Sequence, residues 1–372
     1  MISKKNFCFL YKSQKLKLVL YYITFFCLFD YLLGEKILNY AYENSILIDP
    51  HKKSELIDAN EKKYRVSHPN FHHTLKKNVK LQSQWGEFIY ETCTDKNGFR
   101  IHCHKKKVFD DEIILIGDSF TEGIGLNYEK TFAGMLSKKF NKNFHNMGVA
   151  SYSPIIYKTK IKFFLERKII NPIGVIVFLD ISDIDDEFYY YSCKNNKSVC
   201  SKYDDVPIDT NKEIIRETIN FPLFKKTKKI IRQTKRNFFP KVHSYEKDFH
   251  RSAWTYSKNN NKINTGIANS IQNMEELYLY LKTKNIPLSL AVYPWPGQIL
   301  YDKENSLQVE IWRDFCESRC ENYINLFPTF FEEGETLSRK QIVNKFYLKN
   351  DVHFNESGNK KIFNKIVEMN LF

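Results

Sequence analysis

Several signatures that would fix the class of this 372-residue chain at once are missing from it. There is no zinc pattern. Cys316 and Cys320 are closely spaced, but neither a second such pair nor a His-x3-His partner accompanies them. His68, His72 and His73 cluster without a carboxylate or thiol beside them and read as solvated surface residues, not as metal ligands. Neither a metal nor a cofactor is therefore expected. Disorder is excluded as well: 42% hydrophobic, 15% aromatic and 27% charged residues make the composition of a folded protein, and the length suffices for a well-filled core. Acidic residues are in short supply. Forty-three Asp and Glu against 57 Lys and Arg leave a formal charge of +14, which favours anionic partners such as lipid headgroups, acidic glycans or nucleic acid without choosing among them.

A long apolar run is nearly missing too. Residues 18–33, LVLYYITFFCLFDYLL, carry one charge, Asp30, and reach only the lower limit of about 17 residues for a bilayer-crossing helix. Lys4, Lys5, Lys12, Lys15 and Lys17 precede the run, so the positive-inside rule predicts a cytoplasmic segment 1–17, a transmembrane helix at 18–34 and a body outside the cytoplasm beyond Lys36. No small-residue cleavage site follows cleanly, so the run reads as a signal anchor, with a buried core helix as the alternative. Cell-membrane localisation with a periplasmic body leaves no role for nucleic acid. The six body cysteines fall into close pairs, Cys93 with Cys103, Cys193 with Cys200, and Cys316 with Cys320. Short disulfides in an oxidising compartment fit this pairing; free thiols are the alternative.

Residues 35–110 are polar and basic without a sustained period and read as a stalk and irregular lead-in. From 111 to 372 strands and helices alternate. Strands are expected at 113–116, 143–146, 174–179, 287–293 and 323–326, with helices near 131–140, 155–167, 307–320 and 358–369. Ile267, Ile271, Met274, Leu277 and Leu281 recur at helical spacing. The pattern breaks at about 186–264, read as a rim insertion. Its stretch KKTKKIIRQTKR at 225–236 suits either an anionic glycan or membrane surface, or a plain solvated face. Five short strands with intervening helices imply an α/β fold, a three-layer α/β/α sandwich on a five-stranded parallel sheet, with the site at the carboxyl ends of the strands.

Three loops at those ends carry chemistry. Gly117-Asp118-Ser119-Phe120-Thr121-Glu122-Gly123 follows the first strand, where a serine can present its hydroxyl while glycines allow a tight backbone. Serine needs a base, and Asp351-Val352-His353 supplies an imidazole with an orienting carboxylate two residues earlier. Asp118 is expected to brace the nucleophile loop. Trp295, in VYPWPG after the fourth strand, is suited either to stack on a sugar ring or to plug the core.

The GDSFTEG string resembles the first block of the SGNH, or GDSL, hydrolase superfamily, Asn146-Met147-Gly148 its second block, and DVHFNESG its last. The resemblance covers about 113–366 without the insertion and implies a flavodoxin-like fold. It implies Ser119 as nucleophile, Asp351 and His353 as acid and base, and Ser119 with Gly148 as oxyanion-hole donors. Two departures stand out. The family commonly has D-x-x-H, which would put Asn350 at the acid position, whereas D-x-H is similar to an exported acyltransferase-like branch acting on envelope polysaccharides. The third block usually offers an Asn, and here Asp180-Ile181-Ser182-Asp183 puts Ser182 nearest that place. The activity expected is ester hydrolysis through an acyl-enzyme, on an acylated glycan, lipid or small ester. O-acyl transfer by the same residues and a non-catalytic carbohydrate-binding module are the alternatives.

Overall fold

A computed structural model describes residues 4–43, 63–85, 88–104, 111–140, 142–189, 191, 251–257 and 261–371. The chain divides into two compact units. The described part of the first is one helix, Lys4–Glu43. Among the described residues no helix is long and apolar enough to cross a membrane, which corrects the transmembrane helix expected at 18–34. The reason is local: the run ends against Gly34, Glu35 and Lys36, begins after Lys17, and contains Asp30 and three tyrosines, so any longer window takes in charge.

The described residues of the second unit hold ten strands. They are β1 (Arg65–His68), β2 (His72–Leu75), β3 (Lys80–Trp85), β4 (Phe88–Thr94), β5 (Arg100–Ile101), β6 (Glu112–Ile116), β7 (Asn143–Asn146), β8 (Pro172–Leu179), β9 (Leu288–Val292) and β10 (Asn322–Asn325). β1 and β2 form an antiparallel hairpin, and the other eight make one sheet in the order β10-β9-β8-β6-β7-β5-β4-β3. The five-stranded parallel sheet is thus corrected to an eight-stranded mixed one. Its parallel part, β7-β6-β8-β9-β10, is extended past β7 by three antiparallel strands. Numbered along the chain, the parallel part runs 2-1-3-4-5, and in that order the crevice between the first and third strands is where ligands bind. Here that crevice opens between the ends of β6 and β8.

Physical chemistry explains the two parts differently. Ile113–Ile116 of β6 and all of β9 are buried, as strands covered on both faces must be. The right-handed crossover rule places the helix Phe132–Lys139 on one face, and Pro154–Glu166 with Asn261–Lys282 on the other. Met274, Leu277 and Leu281 of the long helix are fully buried. Caps set the helix starts: Thr131 accepts from the Gly134 N–H, Ser306 from Val309 and Asn355 from Gly358. The described part of the lead-in, by contrast, is built of strands. Its strands bury polar groups, with Ser83 and Thr92 hydrogen-bonded at 2.7 Å inside the sheet, while Ile89 stays 62% exposed. Alternation there is inverted, so the hydrophobic pattern gives no signal.

Candidate active site

β6 delivers the nucleophile loop. Gly117 is forced by close approach, since a Cβ there would lie 2.2 Å from Thr121 Oγ1 and 2.8 Å from the Phe178 carbonyl. Asp118 caps the one-turn helix Ser119–Glu122, its Oδ1 accepting from the Phe120 N–H at 2.9 Å. Gly123 ends the turn with φ of 78°, a left-handed value that suits glycine. The base comes from the loop between the helices Arg339–Phe346 and Glu356–Glu368. Tyr347 and Phe354 pair across its neck, the Leu348 N–H donates to the His353 carbonyl at 2.8 Å, and Asn350 takes the left-handed turn at φ 58°.

These loops bring Ser119, His353 and Asp351 into one chain of hydrogen bonds. Ser119 Oγ lies 2.7 Å from His353 Nε2, and His353 Nδ1 is bonded to Asp351 Oδ1, which also accepts the His353 N–H at 3.0 Å. The D-x-H spacing therefore works because one carboxylate oxygen holds both the ring and the backbone of the residue two places on. Burial works against an imidazolium at His353, but Asp351, with Asp118 and Asp180 behind it, outweighs burial and raises its pKa above 6.5. Burial also opposes the Asp351 carboxylate. His353 and the hydrogen bonds overcome that and hold its pKa down at about 2.

The Ser119 proton has a second acceptor, Asp118 Oδ2 at 3.2 Å. Burial, and then the Asp180 carboxylate, push Asp118 well above the usual carboxylate range, which weakens that competition. Tyr293 donates to Asp118 Oδ1 at 3.2 Å. Trp295 is the core plug of the two readings: it is buried and its indole donates to Asp180 Oδ2 at 2.5 Å.

The two expected oxyanion donors outside the nucleophile are committed elsewhere. The Gly148 N–H donates to Asn146 Oδ1 at 3.1 Å, and Ser182 gives its N–H to Asp180 Oδ1 at 2.7 Å and its hydroxyl to the same carboxylate. Gly148 is a glycine for a steric reason, because a Cβ would sit 2.7 Å from Thr121 Cβ and 2.8 Å from the Glu122 nitrogen.

Residues that sequence reasoning missed come from the antiparallel extension and from the β1–β2 hairpin. Trp85, at the end of β3, donates its indole N–H to Asp351 Oδ2 at 2.9 Å. Buried Arg100, in β5, donates to the Glu122, Gly123 and Leu126 carbonyls just past the nucleophile turn. Arg65, in β1, grips Glu122 through two hydrogen bonds of 2.9 and 3.1 Å, and Glu122 Oε2 accepts from the Ala150 N–H at 2.8 Å. No motif marks these residues; only the folded extension and hairpin bring them to the loop.

Of the three histidines only His72 is solvated, His68 and His73 being partly buried. His68 stacks on Phe71 with ring centroids 3.5 Å apart, and His73 Nε2 donates to the Ala150 carbonyl at 2.8 Å. Among the described residues no group of three or more His, Cys, Asp or Glu could hold a metal ion. Cys93–Cys103 and Cys316–Cys320 are disulfides, while Cys193, Cys200 and the basic stretch 225–236 lie outside the described residues. Most of the insertion at 186–264 lies outside them as well.

No protein-family model matches the chain, and no curated protein does. Solved structures to which it is similar include an acetylxylan esterase from Geobacillus stearothermophilus, with 11% identity over 72% of this chain and 97% of that one and a TM-score of 0.39. A lipolytic-type protein of the G-D-S-L family from Desulfitobacterium hafniense aligns at 13% identity over 70% of this chain and 99% of that one, with a TM-score of 0.38. The psychrotrophic esterase EstA from Pseudoalteromonas aligns at 10% identity over 70% and 96%, with a TM-score of 0.36.

Proposed function

We propose that this chain is a serine-dependent ester hydrolase of the SGNH type, acting outside the cytoplasm on acylated envelope glycan or lipid. The observation that carries the reading is the relay in which Ser119 Oγ sits 2.7 Å from His353 Nε2 while Asp351 holds the far ring nitrogen. In the first half-reaction His353 Nε2 takes the Ser119 proton as Oγ bonds to the ester carbonyl carbon. The alcohol leaves with that proton, giving an acyl-Ser119 ester. In the second, water gives a proton to His353 and its oxygen bonds to the acyl carbon. Ser119 recovers the proton as the acid departs. A sugar hydroxyl in place of water would make the same cycle an O-acyl transfer.

Two disulfides, Cys93–Cys103 and Cys316–Cys320, support a location in an oxidising compartment. Alkaline phosphatase fused after Lys36 tests it, since that reporter is active only when exported. The chemistry is tested by labelling with a fluorophosphonate and by hydrolysis of a short-chain aryl acetate, with and without polysaccharide acceptor. The reading expects label on Ser119 and acetate release; equal inertness of wild type and Ser119→Ala would favour a binding module.

A further inference from the structure

We infer that Trp85 is a positioning residue for the Asp351–His353 pair, fixing the rotation of the Asp351 carboxylate through its indole N–H. This rests on the proposed Ser119–His353 chemistry for its functional meaning but not for its test.

The argument starts from what Asp351 needs. Its Oδ1 already takes two donors, His353 Nδ1 and the His353 backbone N–H, both on its own loop. Both act on one oxygen, so the carboxylate can still turn about its last torsion, which is soft for aspartate. Trp85 Nε1 supplies the bond on the other oxygen, at 2.9 Å, from a strand 266 residues away in sequence. A donor on each oxygen leaves one orientation. The same indole stands perpendicular to the imidazole, with centroids 5.4 Å apart and planes at 89°, so it also walls the ring on one side. Phe120 lies on His353 at 4.8 Å. The charged groups acting on His353 are Asp351 on its own loop, Asp118 from the nucleophile loop and Asp180 from the loop after β8. Trp85 carries no charge and hydrogen-bonds to the first of these, so its electrostatic effect on His353 passes through Asp351, while its ring meets the imidazole by packing alone.

The experiment follows the His353 ring by NMR through a pH titration of the full chain, in wild type, Trp85→Phe, Trp85→His, Asp351→Asn and Trp85→Phe with Asp351→Asn. Loss of the indole donor by itself makes the Asp351 carboxylate more basic, which would raise the His353 titration. It also frees the carboxylate to turn from the ring, and for the inference to hold this second effect must win. The His353 titration in Trp85→Phe is therefore expected to fall by about one pH unit, and a rise overturns the inference. Trp85→His, which keeps a ring N–H, recovers part of that shift. In the Asp351→Asn background Trp85→Phe adds nothing, the mark of a shared pathway in a double-mutant cycle. An unmoved His353 titration in Trp85→Phe, or an equal shift in both backgrounds, overturns the inference. Activity is a separate readout. Turnover falls about tenfold with KM within twofold, whereas a raised KM with turnover intact would make Trp85 a substrate platform instead. Failure of fluorophosphonate to label wild-type Ser119 would sink the hydrolase reading while leaving the NMR result to decide the role of Trp85.

Discussion

The two parts of the sheet divide the work. The parallel part, β7-β6-β8-β9-β10, presents Ser119 after β6 and the buried Asp118–Asp180 pair behind it, and the loop before the last helix presents His353 and Asp351. The antiparallel extension and the β1–β2 hairpin contribute no group to the proton relay. They contribute Trp85, which ends on Asp351 of the relay, Arg100, which ends on carbonyls at the close of the nucleophile turn, and Arg65, which ends on the Glu122 carboxylate in that turn. One region would do the chemistry; the other holds its loops still. Mutations should therefore split into two classes, those that stop the reaction and those that loosen the fold around it.

The sharpest break belongs to the parallel part. Ser119→Ala should reduce aryl acetate hydrolysis by a factor of about 1,000 or more while leaving the thermal midpoint close to wild type, because the side chain is small and surface-accessible. Asp351→Asn comes next, and its pH profile carries the sign. Hydrolysis needs neutral His353, so activity is lost as pH falls through the His353 pKa, which the structure raises above 6.5 chiefly through Asp351 against the opposing effect of burial. Without the carboxylate, burial remains, and the acid limb of kcat/KM should move to lower pH while the plateau falls by roughly 1,000-fold or more. An acid limb that stays in place would separate Asp351 from His353 function.

The β1–β2 hairpin predicts losses of stability instead. Arg65→Ala leaves Glu122 2% exposed beside the Ala150 N–H with its cation gone, and stranding one partner of a buried pair costs about 3–5 kcal/mol. Arg65→Ala should accordingly show a lowered denaturant midpoint with an unchanged slope. Replacing both partners, as Arg65→Met with Glu122→Gln, should recover much of that loss. If Arg65→Ala instead left stability intact and removed only activity, the division between the two regions would fail.

The division also explains what could be read from sequence. Ser119, Asp351 and His353 sit in short local strings whose spacing encodes their geometry, and β6, β8 and β9 are apolar on both faces, so each announces itself. The braces are long-range pairs: Trp85 meets Asp351 across 266 residues and Arg65 meets Glu122 across 57, and no periodicity reports such a meeting. In β3, which bears Trp85, and in its neighbour β4 polar Ser83 and Thr92 lie inside while Ile89 lies outside, so the apolar pattern gives no sign of these strands. At 18–34 the sequence predicts a membrane span that the described helix Lys4–Glu43 does not supply, its apolar run being bounded closely by Lys17 and Glu35. Gly148 and Ser182 are expected as oxyanion donors from motif position alone, and their hydrogen bonds show the same kind of hidden pairing. Asn146 and Asp180 already take the N–H groups of Gly148 and Ser182, and a motif names a residue without naming what it is bonded to.

The smallest effect separates the two regions by a covalent device each possesses. Cys93–Cys103 links β4 to the residues just after β5, closing a loop of 10 residues beside Arg100, while Cys316–Cys320 closes only 4 at the end of the helix Leu307–Cys316. Loop-closure entropy alone makes the first worth about 3 kcal/mol and the second about 2 kcal/mol. Paired Cys→Ala substitutions should therefore destabilise the chain by those amounts in that order. The difference in activity should be larger than the difference in stability, because β5 carries Arg100 and through it the carbonyls of Glu122 and Gly123 that end the nucleophile turn. With Cys93→Ala and Cys103→Ala, turnover measured well below the thermal midpoint should fall, whereas Cys316→Ala with Cys320→Ala should leave it near wild type. Equal turnover in the two variants would mean that β5 holds its place without the staple, and that Arg100 alone secures the nucleophile loop.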